Sequence, residues 1–350
     1  MGDGASTGSA NSLAEPVEAT ATLASTGSAN VAAQNFFVLT IHFVRVGGEA
    51  TNTHKKNCST LTGIRYILTR HSSLITDMML HNLTISVIGP GAMGEAIVGG
   101  LLRQALVGAD QLLVSHPREE RRRELAARYG VQTSHDNVAA AHWGRVVIFA
   151  VKPQQLGRVL DPLRGTLRDD DLAISVIAGA KIYDFAHALE HPAVVRSMPN
   201  TPATIGEGMT VWTAAAEVSE QQRGWARTIL GSLGHELYVD SENYLDMATA
   251  INGTGPAYVF LMMEAMIDAG VHLGLSRRIS EELVLQTMLG SVRYAQQSSA
   301  HPAQLRNGVT SPGGTTSAAL SELERGGMRT VLADAIWAAY RRSVELGKAR

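Results

Sequence analysis

From residue 83 onward, short apolar runs alternate with helical stretches. Leu83–Ile88, Val146–Val151 and Leu172–Ile177 are apolar and β-branched, and Leu112-Leu113-Val114 and Val194-Val195 are shorter runs of the same kind. Such runs predict strands buried on both faces, as in a parallel sheet covered by helices on either side. A helical stretch, Glu95–Gln104, follows the first run and others separate the rest, so the order predicts a doubly wound α/β sheet. Ligands in such sheets bind outside the carboxyl ends of the strands, where Lys152, Ala178 and Asn200-Thr201 fall.

Beyond about Glu242 the period changes. Val259, Met263, Ile267 and Val271 are spaced by four, and Leu332, Ile336, Tyr340 and Val344 mark a last amphipathic helix. Ser280 before Glu281-Glu282 predicts an N-cap with acids in the first turn of a helix whose face carries Leu283, Met288 and Val292. An all-helical half with this much apolar face predicts burial against a second subunit.

The first eighty residues lack any such period. Residues 1–33 are nearly all Ala, Ser, Thr, Gly and Asn, with one short duplication, and predict disorder. Phe36–Val46 is strand-like but has no obvious neighbour. Met78 and Met79 stand just before the first strong strand, so either translation starts there or residues 1–77 are a flexible extension. The segment has neither a secretory signal nor the arginines of a transit peptide. The expected organisation is a poorly ordered extension over 1–81, a Rossmann-type domain over 82–242 and a helical domain over 243–350.

Composition narrows the function. With 45% hydrophobic and 18% charged residues, much of the chain can bury a core. Thirty basic against thirty-two acidic residues, a net charge of −2, argue against a nucleic-acid-binding surface. The single cysteine, Cys58, excludes an internal disulfide framework, and the twelve histidines show no ligand spacing, so no metal is expected. No run of ~18 apolar residues predicts a transmembrane helix. The expectation is a cytoplasmic protein.

Chemistry enters with Gly89-Pro90-Gly91-Ala92-Met93-Gly94 between the first strand and its helix. In this Gly-x-Gly-x-x-Gly turn the first glycine permits the turn, the second lets backbone approach a pyrophosphate, and the third lets helix pack on strand. After the second strand come Ser115-His116-Pro117-Arg118, with no acid before Glu119. An NAD-selective site usually carries an acid there, whereas these donors and cations suit a 2′-phosphate; NADPH is favoured and NADH stays open. Lys152 is either a functional strand-end cation or a lysine reaching for water. Arg121-Arg122-Arg123 reads as a solvated face balanced by Glu119, Glu120 and Glu124. Val309-Thr310-Ser311-Pro312-Gly313-Gly314-Thr315-Thr316 precedes a helix over Ser317–Arg325, and is either an anion site fitting a small carboxylate or an ordinary capped turn.

Taken together, these motifs resemble pyrroline-5-carboxylate reductases over about residues 83–347. The resemblance rests on the glycine turn, Ala150-Val151-Lys152-Pro153, Arg196-Ser197-Met198-Pro199-Asn200-Thr201-Pro202, Gly253-Thr254-Gly255-Pro256-Ala257-Tyr258, His301-Pro302 and the Ser311–Thr316 loop. It implies reduction of a cyclic imine to proline with NAD(P)H, the last step of proline biosynthesis. Implied cofactor contacts are Ile88, Gly89, Pro90, Gly91, Ala92, Met93, His116, Asn137, Ala150, Lys152, Ala178 and Glu242. The backbone of Gly313, Gly314 and Thr315 would hold the substrate carboxylate, and the Thr316 hydroxyl would lie near the ring as the catalytic contact. The family supplies this loop from the partner subunit, in dimers that commonly build decamers. Three positions depart from the pattern: Gly308 stands where some members bind cofactor with asparagine, Arg145 replaces a usual acid, and Asn252 replaces a small hydroxyl residue.

Two rivals remain. A β-hydroxyacid dehydrogenase of the same plan would want a lysine near residue 257, where the chain reads Gly255-Pro256-Ala257-Tyr258. A non-catalytic NADPH-binding regulator would have no use for a carboxylate cradle.

Overall fold

The computed structural model describes residues 17–21, 39–43 and 80–348. The chain forms two units, residues 1–65 and 66–350. In the first, strands β1 (Val17–Ala21) and β2 (Leu39–Phe43) pair antiparallel, Val17 opposite Phe43 and Ala21 opposite Leu39. The Phe36–Val46 patch therefore has a neighbour, drawn from the Ala/Ser/Thr-rich stretch. The remaining positions before Leu80, with Cys58, Met78, Met79 and the expected disorder, lie outside the described residues.

The second unit is built on an eight-stranded sheet ordered β10-β9-β8-β7-β6-β3-β4-β5. Its strands are β3 (Ile85–Ile88), β4 (Leu112–Ser115), β5 (Gln132–Ser134), β6 (Val146–Phe149), β7 (Leu172–Ser175), β8 (Val194–Met198), β9 (Gly208–Ala214) and β10 (Gly234–Tyr238). All neighbours are parallel except β8 and β9. Every residue of β3, β4, β6 and β7 is buried, which is why these strands read as apolar runs. One face packs Ile85, Val87 and Val114 against Ile97, Leu101, Trp212 and Ile229. The other packs Ile88, Val147 and Phe149 against Leu160, Phe185 and Leu189, with the two phenylalanine rings edge to face at 5.3 Å. Each such side chain contributes about 1.5–3 kcal/mol by leaving water. Leu80 is fully buried in the first cluster, and Gln111 Nε2 donates to the carbonyls of Leu80, His81 and Leu83 at 2.9–3.1 Å.

Helix α1 spans Ala92–Arg103, starting three residues before the sequence pattern predicts. It is followed by α2 (Glu119–Tyr129), α3 (Asn137–Trp143), α4 (Leu156–Leu160), α5 (Ile182–Leu189) and α6 (Glu220–Gly231). The helical half comprises α7 (Asn243–Ala248), a π-helical turn over Thr249–Gly253, α8 (Gly255–His272), α9 (Arg277–Gln297), α10 (Pro302–Gly308), α11 (Thr315–Arg325) and α12 (Met328–Lys348). Helix α9 starts earlier than the Ser280-Glu281-Glu282 pattern predicts. Its N-cap is Ser276, whose hydroxyl accepts from Ile279 N at 3.4 Å. Ser280 is instead buried against α8, where a Cβ on Gly270 would come within 2.6 Å of its hydroxyl. No residue of α8 is buried, and Val259, Phe260, Leu261 and Met266 stand exposed beside Leu283, Leu285 and Val292 of α9.

At the amino-terminal end of β7, Arg145 pairs with Asp170 at 2.7 Å and with buried Asp171 at 3.5 Å, and Arg168 reaches Asp171 at 2.9 Å. The basic residue at 145 thus has acids to answer it. His191 is buried beside them, its Nε2 donating to Asp171 O at 3.0 Å, and Gln222 Nε2 donates to the same carbonyl. Burial holds the imidazole pKa below its ordinary 6.5, only partly offset by the Asp171 hydrogen bond. The neutral ring therefore supports the fold above pH 6.5, and that support is lost as pH falls through the lowered value. We expect His191→Gln to flatten the acid limb of a Tm-versus-pH curve below pH 6.5; curves parallel to wild type would refute this role.

Candidate active site

The carboxyl ends of the central strands are stitched into one rim. Gly89 N donates to Ser115 O at 3.0 Å, Ala150 N to Ile88 O at 2.9 Å, Val176 N to Phe149 O at 3.1 Å and His116 N to Ser134 O at 3.0 Å. This row brings together Ile88–Met93, His116, Ala150 with Lys152, and Ala178, four segments far apart in sequence.

The three glycines of the turn answer different constraints. Gly89 has φ +80°, and a Cβ there would lie 2.2 Å from Val151 Cγ1. Gly94 sits with its Cβ position 3.1 Å from both Ala150 and Val87, so helix and strand touch there. Gly91 is the N-cap of α1, and a Cβ on it would meet nothing within 4 Å. Open space in front of exposed amides at a helix start fits a pyrophosphate. Pro90 is buried and its carbonyl accepts from Arg121 at 3.3 Å.

At the end of β4 the candidates separate. Ser115 is buried and its hydroxyl donates to Asn137 Oδ1 at 2.7 Å, so both side chains are turned toward each other and Ser115 is not a surface donor. His116 is half-buried, with Nδ1 accepting from Arg118 N at 3.1 Å. Nδ1 is then unprotonated, and the neutral ring carries its proton on Nε2. Burial, then the positive charges of Arg118, Arg121 and Arg122, push the pKa of His116 down. The arginine run is answered locally: Arg121 pairs with Glu95 and Glu124, Arg123 with Glu119, and Arg122 donates to the His116 and Pro117 carbonyls. Among the described residues, Arg118 and Lys152 have no ion-pair partner, and both are exposed.

Glu242 lies at the far end of the rim, but Oε1 is occupied. It accepts from Ile182 N at 2.9 Å and from Arg196 Nη1 at 2.8 Å. Arg196, on β8, is almost fully buried and also donates to Asp246 Oδ1 at 3.0 Å, which in turn accepts from Ser343 Oγ of α12 at 3.0 Å. This cluster, which the motif alone does not give a role, ties sheet to helices. Its signals in sequence are a lone arginine in a strand and acids spaced by four, Glu242 and Asp246.

In the Ser311–Thr316 loop, Gly313 has φ +68° and Gly314 is the N-cap of α11, with no side chain capping the helix. A Cβ on Gly314 would fall 2.3 Å from Ser311 Oγ. Among the described residues, no hydrogen bond uses the amides of Gly313, Thr315 or Thr316 as donors. The helix therefore starts with free donors and a positive dipole end, which distinguishes the loop from an ordinary capped turn. No hydrogen bond among the described residues joins the loop to the sheet half of the same protomer. Also among the described residues, no group of three or more His, Cys, Asp or Glu is arranged to hold a metal ion.

Comparison with known proteins adds the following. The family model for pyrroline-5-carboxylate reductase dimerisation matches residues 242–346, and that for coenzyme F420-dependent NADP oxidoreductases matches residues 84–179. The pyrroline-5-carboxylate reductase of a Synechocystis strain is 42% identical, covering 76% of this chain and 99% of that relative. Its counterpart from Pisum sativum is 37% identical over 78% of this chain and 99% of its own length. The crystal structure of Plasmodium falciparum pyrroline carboxylate reductase with NADP bound superposes with a TM-score of 0.70 at 32% identity, covering 76% of this chain and 98% of that one.

The buried Arg196 cluster generates a stability prediction. Arg196→Met should strand Glu242 and Asp246 without their cation and cost about 3 kcal/mol in urea unfolding. A loss below about 1 kcal/mol would mean that the pair does not join the halves.

Proposed function

The chain belongs to the pyrroline-5-carboxylate reductase family, and from that premise we propose that it reduces 1-pyrroline-5-carboxylate to L-proline with NADPH at a site completed by a second subunit. The single observation that carries the reading beyond the cofactor rim is the uncapped start of α11. Gly313, Thr315 and Thr316 offer free amides to a small carboxylate, while Gly314, whose amide donates to Ser311 O at 3.1 Å, shapes the loop, and the Thr316 hydroxyl is the proposed contact near the ring. A protonated cyclic imine already carries the positive charge that invites hydride, so the protein need supply no strong acid, base or metal. Its work is alignment of the two reactants.

The cofactor, when bound, supplies the hydride. The amides of Ala92 and Met93 hold the pyrophosphate, with Gly89, Pro90 and Gly91, whose amide donates to Gly89 O at 2.7 Å, shaping the turn and Ile88 and Ala150 forming its floor. Lys152 and Ala178 line the rim, Asn137 acts through Ser115, and Glu242 acts through the Arg196 cluster more than by direct contact. His116 Nε2–H and the unpaired Arg118 suit the 2′-phosphate, and the absence of an acid before Glu119 supports NADPH over NADH. Residues 82–242 form the cofactor half and 243–350 the substrate and dimerisation half.

The exposed apolar side chains of α8, α9 and α12 support a homodimer, with a decamer as a further assembly. No described helix is long and apolar enough to cross a membrane, and the cytoplasm is the proposed location.

Two measurements test the reading. Thr316→Ala and Gly314→Val should each cut imine reduction by about tenfold or more while NADPH binding stays near wild type. Unchanged turnover in both, or turnover of piperideine or hydroxyacid substrates in place of pyrroline-5-carboxylate, would refute it. Arg118→Ala should raise KM for NADPH by about tenfold, the worth of one charge-assisted hydrogen bond, and leave KM for NADH alone. Equal effects on both cofactors would remove Arg118 from the 2′-phosphate site.

A further inference from the structure

The geometry points to Asn252 as a positioning residue that latches the helical half to the edge of the cofactor cleft, holding the Met198–Pro202 loop at the distance that hydride transfer needs. The inference rests on the reductase reading above.

Strands β8 and β9 are paired as far as Met198 and Val211. Beyond that pair the chain leaves the sheet through Pro199 and Asn200 into a 3₁₀ turn over Thr201–Ile205, and the ladder parts. Two carbonyls at the parting, Met198 O and Met209 O, are each met by Asn252 Nδ2 at 3.0 Å. Asn252 Oδ1 accepts from Asn200 Nδ2 at 2.9 Å, and Asn200 Oδ1 accepts from Met209 N at 2.9 Å. Two side-chain amides thus continue the ladder where backbone pairing ends. Both protons of the Asn252 amide and its oxygen are used.

Asn252 belongs to neither strand. It sits in the π-helical turn Thr249–Gly253 that joins α7 to α8. That turn is pressed on the strand end: a Cβ on Gly253 would lie 2.4 Å from Met198 Cε. Thr249 Oγ1 donates to Leu245 O at 2.7 Å and Thr254 Oγ1 to Thr249 O at 3.0 Å, so the turn is rigid within the helical half. π-helical turns are often retained at functional positions, since they cost regular helix hydrogen bonding. Here the extra bulge carries one amide to the rim. A hydroxyl residue at 252 has one proton to give and a shorter reach, and leaves at least one of the two carbonyls and Asn200 Nδ2 without this partner.

The experiment uses the full chain with Asn252→Ser, a residue type compatible with the family fold, and Asn252→Asp, isosteric but without the donor amide. Three readings are taken: steady-state kinetics with pyrroline-5-carboxylate, the primary isotope effect from 4-deuterated NADPH, and hydrogen exchange at residues 199–209. A latch predicts kcat reduced about tenfold, a larger isotope effect because hydride transfer becomes slower than release, and NADPH Kd within about twofold of wild type. It also predicts faster exchange at Met209 N and through the loop. Unchanged kcat and isotope effect in both variants overturn the inference, as does a lower Tm with an unchanged isotope effect, which would mark a merely structural amide. If wild type itself fails to reduce pyrroline-5-carboxylate, the functional reading fails separately. Exchange then decides the latch, unchanged protection at 199–209 overturning it.

Discussion

A guanidinium buried between two carboxylates is the joint on which the reductase body depends. Arg196 stands in a strand that is otherwise apolar or small, and its charge is sustained there because Glu242 and Asp246 reach it at 2.8 and 3.0 Å. Desolvating three charges is costly, and the attraction between them offsets that cost only when every partner is in place. The cluster is therefore selective for one docking of helix on sheet. Ser343 extends it to α12 and Ile182 N extends it to the start of α5, so a single network fixes four elements around the cofactor rim.

With the halves held, two helix starts can work as a pair of anion sites in different subunits of the proposed dimer. Both α1 and α11 begin at a glycine N-cap with no capping side chain. In each the missing cap is an asset, since amides that a serine or aspartate would satisfy are left for a ligand. One site suits a pyrophosphate and the other a carboxylate. Holding both reactants by their anionic ends leaves the reacting carbon and nicotinamide to meet without a proton donor between them, which fits a reaction whose substrate is already an iminium.

What the sequence makes legible divides along burial. β3, β4, β6 and β7 are covered on both faces and read as apolar runs. β5 (Gln132-Thr133-Ser134) and β10 lie at the sheet edges, keep polar or exposed side chains, and carry no such run. β9 mixes Thr210 and Thr213 with Val211 and Trp212, so its burial is not written as hydrophobicity. The glycine turn is legible because Gly89 and Gly94 have steric reasons in the fold and Gly91 leaves open space at the helix start. Ser115 is not: its type suits a phosphate, but only the structure shows the hydroxyl turned inward to Asn137. Likewise Ser280 reads as a cap in sequence, but the cap is Ser276, and Ser280 lies in the contact between α8 and α9 beside the small Gly270.

The departures that the resemblance implies at residues 145 and 252 follow one logic. Arg145 exchanges an acid for a base next to Asp170 and Asp171, and Arg168 shares the same buried carboxylate. Asn252 exchanges a hydroxyl for an amide opposite Asn200 and two carbonyls. In both cases the side chain is answered by groups of the same chain. The difference lies in position. Arg145 is at the amino-terminal end of the sheet, away from the rim, and its partners are Asp170 and Asp171. Asn252 is at the carboxyl end, where the same kind of local satisfaction also fixes the Met198–Pro202 loop on the rim proposed for the cofactor. A substitution that is equally well paired in both places therefore bears on the reaction at only one of them.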